Sequence, residues 1–150
     1  MSYEQFMDYL IANNACREAQ EWVSGRDLAA VWSECERADW LLWLSRKAGV
    51  DKRKLALAAA ECANTVRHLM KDERSLAALD AAYKYGRGVI GDEELEAARF
   101  NDAAAAYAAA YAAAAAFAYA DAADAAARKT ALKGMADLVR NVITVSDLNL

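Results

Sequence analysis

Residues 103–120 read AAAAYAAAYAAAAAFAYA, eighteen positions without a charge in which only Tyr107, Tyr111, Phe117 and Tyr119 interrupt the alanine. Alanine is the strongest helix former and loses no side-chain entropy on ordering, so this stretch is helical on local grounds. It has no polar face, and a helix apolar all round belongs among other helices or in lipid. Eighteen residues rising about 1.5 Å each reach roughly 27 Å, barely a span. The flanks carry Asp102, Asp121 and Asp124 where a membrane helix would carry Lys or Arg. The tract therefore reads as the buried central rod of a helical domain.

Working outward, Phe100, Tyr107 and Tyr111 fall within about 40° of one another on a helical wheel, and an unbroken helix would bring Asp121 onto the same apolar face. A bend near Tyr119 to Asp121 removes that conflict. A continuous helix from Asp92 to Arg140 would also run some 70 Å, too long for a compact chain of 150 residues. Two helices are expected there, the second with Leu132, Met135, Leu138 and Val139 on its inward stripe and an extended tail from Ile143 to Leu150.

The same logic divides the N-terminal two thirds. Phe6, Tyr9 and Leu10 define a first short helix ending near Asn13 and Asn14, and Ala19, Trp22 and Val23 a second, running from Ala15 to a left-handed stop at Gly25. Asp27 caps a third with Leu28, Val31, Trp32 and Cys35 inward. A fourth carries Trp40, Leu41, Trp43 and Leu44 to Gly49. Asp51 opens a helix whose stripe is Leu55, Ala59, Cys62, Val66 and Leu69, and Asp72 opens another with Leu76, Leu79, Ala82 and Tyr83 inward before Gly86 and Gly88. There is no proline, and no segment alternates apolar and polar residues as a strand would. The expected architecture is all-α, one domain over residues 1–150, a stack of seven to eight helices in hairpins.

Composition bounds the function. A net charge of −4 and a pI near 5.1 weigh against nonspecific nucleic-acid or anionic-membrane binding. The opening MSYEQFMDYL has two acids and no basic region, so it does not read as a signal peptide, and the odd set Cys16, Cys35 and Cys62 suits reduced thiols in the cytoplasm. Those cysteines sit singly at apolar positions of different helices, which is core usage. With His68 as the one histidine, neither a metal site nor a nucleophilic triad is legible. No cofactor is expected, and no enzyme. The run Gly86, Arg87, Gly88, Val89, Ile90, Gly91 spells G-x-G-x-x-G, but it follows a helical pattern rather than a strand, and Asp92, Glu93 and Glu94 stand where a pyrophosphate would sit. It reads as a loop.

Two surface features remain. Arg46, Lys47, Lys52, Arg53 and Lys54 place five cations in nine residues, three of them in a helix's first turn where the dipole disfavours positive charge. This basic turn is the candidate site for a small anion or a nucleotide. Glu34, Glu36 and Asp39, beside the tryptophan-bearing helices, are the candidate partner-binding carboxylates. Trp32, Trp40 and Trp43 are expected to share one buried seam, with Cys35 filling the gap.

The string W-x-x-C-E-R-x-D-W-L-L-W, at Trp32, Cys35, Glu36, Arg37, Asp39, Trp40, Leu41, Leu42 and Trp43, resembles the signature of a family of small immunity proteins from bacterial polymorphic-toxin systems that also occurs in phage genomes. The similarity extends to Ala15, Cys16, Ala19 and Trp22, to the alanine-rich third quarter with its periodic aromatics, and to Ala136 through Arg140. The resemblance implies an all-α binding protein, without catalytic residues, that neutralises a toxin or a host defence protein.

Overall fold

Side-chain acceptors set most of the helix starts, because the first N–H groups of a helix have no partner within it. The computed structural model describes residues 1–95 and 125–150. Helix α1 spans Tyr3–Ala12 and opens with a capping box between Ser2 and Gln5. After α2 (Arg17–Val23), Asp27 accepts from the Ala30 amide and starts α3 (Leu28–Glu34). Helix α4 covers Ala38–Lys47. Asp51 caps α5 (Lys52–Asn64) through the amides of Arg53 and Lys54, and Asp72 caps α6 (Glu73–Gly86) through that of Arg74. Helix α7 is Ala125–Val142. Gly25 and Gly49, at φ of +79° and +69°, provide the left-handed turns after α2 and α4. Single 3-10 turns occupy Arg67–Leu69 and Val145–Asp147. Among the described residues there is no strand, and the chain is all-α. The alanine tract at 103–120 and the bend expected near Tyr119 lie outside the described residues.

Helix α5 is the hub. It packs on α4, α6 and α7, while α7 also lies along α4. Phe6, Leu41, Cys62, Val139 and Ile143 are fully buried and meet in the main core. Against α6 the contact is built from small residues, with Ala59, Ala60 and Ala63 meeting Leu79 and Ala82. Methyl side chains let the two helices approach closely, and Gly86 marks the limit of that approach. A Cβ there would lie 2.7 Å from Leu57 Cβ and 3.0 Å from the Arg53 carbonyl oxygen. Arg140 ties α7 to the end of α3 by donating to the carbonyls of Trp32 (3.1 Å) and Cys35 (2.8 Å).

Several sequence expectations need correction. The α5 stripe does not reach Leu69, which is exposed. The helix ends at Asn64 because the Thr65 hydroxyl donates to the Cys62 carbonyl at 2.7 Å and the chain tightens into the 3-10 turn. Helix α2 starts at Arg17, so Cys16 is its exposed N-cap residue rather than part of the core. Helix α6 runs through Gly86, which buries Tyr85. The C-terminal tail is also less extended than expected. Ile143 and Leu148 are buried, Thr144 and Asp147 form a capping box, and Asn149 bonds to the carbonyls of Ala48 and Gly49.

Candidate functional site

The turns that join α2 to α3 and α3 to α4 each deliver one arginine onto one tryptophan. Gly25 reverses the chain after α2 and places the Arg26 guanidinium 4.6 Å from the Trp22 ring centroid, where it donates to the Trp22 carbonyl and to Glu34 (3.1 Å). Arg37, the residue before α4, lies 4.6 Å over the Trp40 ring and forks onto Asp39 at 2.9 and 2.6 Å. A longer contact of 3.5 Å joins it to Glu18 on α2. The two rings meet edge to face, with centroids 6.1 Å apart. The result is a half-buried Arg–Trp–Trp–Arg row; each cation–ring contact at such a surface is worth about 0.5–1 kcal/mol.

Behind this row a pocket of about 290 Å³ opens between α1, α2, α3 and α4. Phe6, Leu10 and Leu41 form its apolar floor, Trp22, Trp40 and Trp43 its walls, and Asn14, Cys16 and Asp39 its polar margin. The seam expected between α3 and α4 is therefore divided. Trp32 is buried in the main core, whereas Trp40 and Trp43 are half-buried and border the pocket, with Trp22 as the ring partner that sequence spacing did not reveal.

The three candidate carboxylates do not form one patch. Glu34 and Asp39 join the tryptophan row through Arg26 and Arg37. Glu36 instead reaches α7, pairing with Lys133 (3.1 Å) and Lys129 (3.5 Å), and the hydrogen bond from Lys133 pulls its carboxyl below the ordinary value. Glu18 also belongs to the tryptophan row, and nothing in its local sequence points to Arg37. It stands nineteen positions before Arg37, and only the packing of α2 against the α4 start joins them.

The basic turn also divides. Arg53 is turned inward, donating to the carbonyls of Tyr85 (2.6 Å) and Ile90 (3.0 Å) while stacking on the Tyr85 ring. Its guanidinium thus braces the glycine run at 86–91, which is a helix end and turn. Lys54 pairs with Asp147 at 2.6 Å, and that contact, with the Thr144 amide, holds the Asp147 carboxyl down at about 2. Arg46, Lys47 and Lys52 are exposed, and their side chains have no polar partner among the described residues. Arg46 and Lys47 end α4, where the helix dipole favours cations.

Cys35 and Cys62 are buried, and burial raises both thiols, Cys62 to about 12, which makes them poor nucleophiles. His68 is exposed. Among the described residues no cluster of three His, Cys, Asp or Glu side chains could hold a metal ion, and no helix is long and apolar enough to cross a membrane. No protein-family profile, curated protein or solved structure matches this chain.

Proposed function

We propose that the chain is a non-enzymatic binding protein that neutralises a protein partner, a toxin or a host defence component, through the face built by Trp22, Arg26, Arg37 and Trp40. The observation that carries this reading is the apolar pocket directly behind two Trp–Arg stacks. Tryptophan and arginine are the residues most enriched at energetically dominant contact points, and an apolar centre inside a charged rim is the usual anatomy of an interface. The immunity-protein resemblance carried by Trp32 through Trp43 supports the same reading. Affinity capture from the native host with tagged protein should recover one stoichiometric protein. Glu34→Lys, which alters an exposed carboxylate of the rim, should weaken capture mainly through a slower, more salt-sensitive association. Failure to recover any stoichiometric protein refutes the reading.

The second reading, a small anion or nucleotide held by the basic turn, is favoured by the free side chains of Arg46, Lys47 and Lys52. A thermal-shift screen of nucleotides and phosphorylated metabolites separates the two, since a ligand at 100 times its Kd stabilises by about 2.7 kcal/mol.

A further inference from the structure

Resting on the partner-neutralising reading, we propose that the pocket receives a single apolar anchor side chain, carried on a segment of the partner whose flanking residues are Lys or Arg. Size is the first argument. Sites for drug-sized ligands begin at about 300 Å³, and a dry cavity of about 150 Å³ already accepts a benzene ring. A pocket of about 290 Å³ suits one aromatic or branched side chain better than a nucleotide or a large cofactor. The lining agrees: the floor is apolar, and Trp22, Trp40 and Trp43 are only half-buried, so their rings have area left to cover.

Charge is the second argument. Arg26 and Arg37 lie over the tryptophan rings, and their side chains are 37% and 26% exposed; of their carboxylate partners, Asp39 lines the pocket and is 31% exposed, while Glu34 and Glu18, next in sequence to the lining residues Cys35 and Ala19, are 57% and 72% exposed. The guanidinium groups are committed to ring faces and to short hydrogen bonds, so they cannot swing out without losing both. The two stacked cations therefore lie beneath the exposed carboxylates Glu18 and Glu34, and the exposed Arg17 at the start of α2 is paired with Glu21 at 2.7 Å. An incoming Lys or Arg beside the anchor meets Glu18 and Glu34 first, and an incoming Asp or Glu meets like charge. A free apolar molecule would use the pocket and gain nothing from the rim.

Cys16 gives the readout. It borders the pocket and is exposed, while Cys35 and Cys62 are buried, so iodoacetamide should modify Cys16 first in the folded chain. A pentapeptide with one Phe between two pairs of Lys, at about 1 mM, should slow that reaction roughly tenfold and shift the tryptophan emission. Replacing the Phe by Ala, or all four Lys by Glu, should remove most of the effect. No protection by the Lys-flanked peptide overturns the proposal. So does equal protection by the Glu-flanked peptide or by N-acetylphenylalaninamide, the latter marking the pocket as a small-molecule site. Partner capture by an Ala19→Phe chain, in which a pocket-lining residue fills the space, separates this proposal from the reading beneath it. Loss of capture with the fold intact supports the anchor. Undiminished capture removes the anchor and leaves the neutralising role. Capture by neither chain removes both.

Discussion

The same substitution, Gly to Ala, should have opposite signs at two glycines that both lie in helices. At Gly134, inside α7, a new Cβ meets nothing within 4 Å. Only the backbone effect remains, because alanine loses less conformational freedom on folding than glycine, and Gly134→Ala should stabilise by about 0.5–1 kcal/mol. At Gly86 the same gain competes with a collision. The added carbon would stand 2.7 Å from Leu57 Cβ and 3.0 Å from both Leu57 Cα and the Arg53 carbonyl oxygen. None of these is the free end of a flexible side chain, so α5 and α6 must separate, and overpacking of this kind costs about 1–3 kcal/mol. Gly86 also ends α6, where the helix-propensity gain is smallest. The net expectation for Gly86→Ala is a loss of about 1–2 kcal/mol. For a chain of this length each kcal/mol moves the melting temperature by about 2–4 °C, so calorimetry should find Gly134→Ala above wild type and Gly86→Ala below it. A Gly86→Ala protein that melts higher than wild type would refute the close α5–α6 approach.

Trp32→Ala, which empties a buried site, should cost about 3–5 kcal/mol, while Trp40→Ala, at a half-buried ring with one edge contact to Trp22, should cost distinctly less. Guanidinium denaturation midpoints in the reverse order would contradict the burial pattern. Arg140→Lys keeps the charge but lacks the second terminal nitrogen, so a single ammonium cannot serve the Trp32 and Cys35 carbonyls and the Asp137 carboxylate together as Nη1 and Nη2 do, and equilibrium denaturation should show a loss of about 1–2 kcal/mol. Asp147, whose carboxyl lies below its ordinary value of 3.8 at about 2, stabilises the fold when ionised. That contribution is complete above about pH 4 and is lost as the pH falls through about 2, so Asp147→Asn should melt below wild type at pH 7 and converge with it in that acid window. A constant difference down to pH 2 would show that the Lys54 contact is not its source.

The sequence by itself determined that the described chain is helical and where most of its helices start, though not where α5 and α6 end. Ser2, Asp27, Asp51 and Asp72 cap within three residues, Gly25 and Gly49 turn the chain at single positions, and the absence of proline and of strand patterns leaves only helix; all of these act over less than two turns of chain. It also gathers all four tryptophans between Trp22 and Trp43. Which tryptophan is core and which borders a pocket was decided only by the tertiary structure, because equal helical spacing serves both until neighbouring helices cover one ring and leave another half open. The charges show the same division. Five cations within nine residues look alike in the sequence, yet Arg53 is bound by carbonyls more than thirty positions away and Lys54 by a carboxylate 93 positions away, and of the five Arg46, Lys47 and Lys52 have no polar partner among the described residues. Capping and turn chemistry act between near neighbours in the chain and are written there; the pocket, the stacked arginines and the α5–α6 contact at Gly86 depend on how whole helices fill space against each other, which no local pattern encodes.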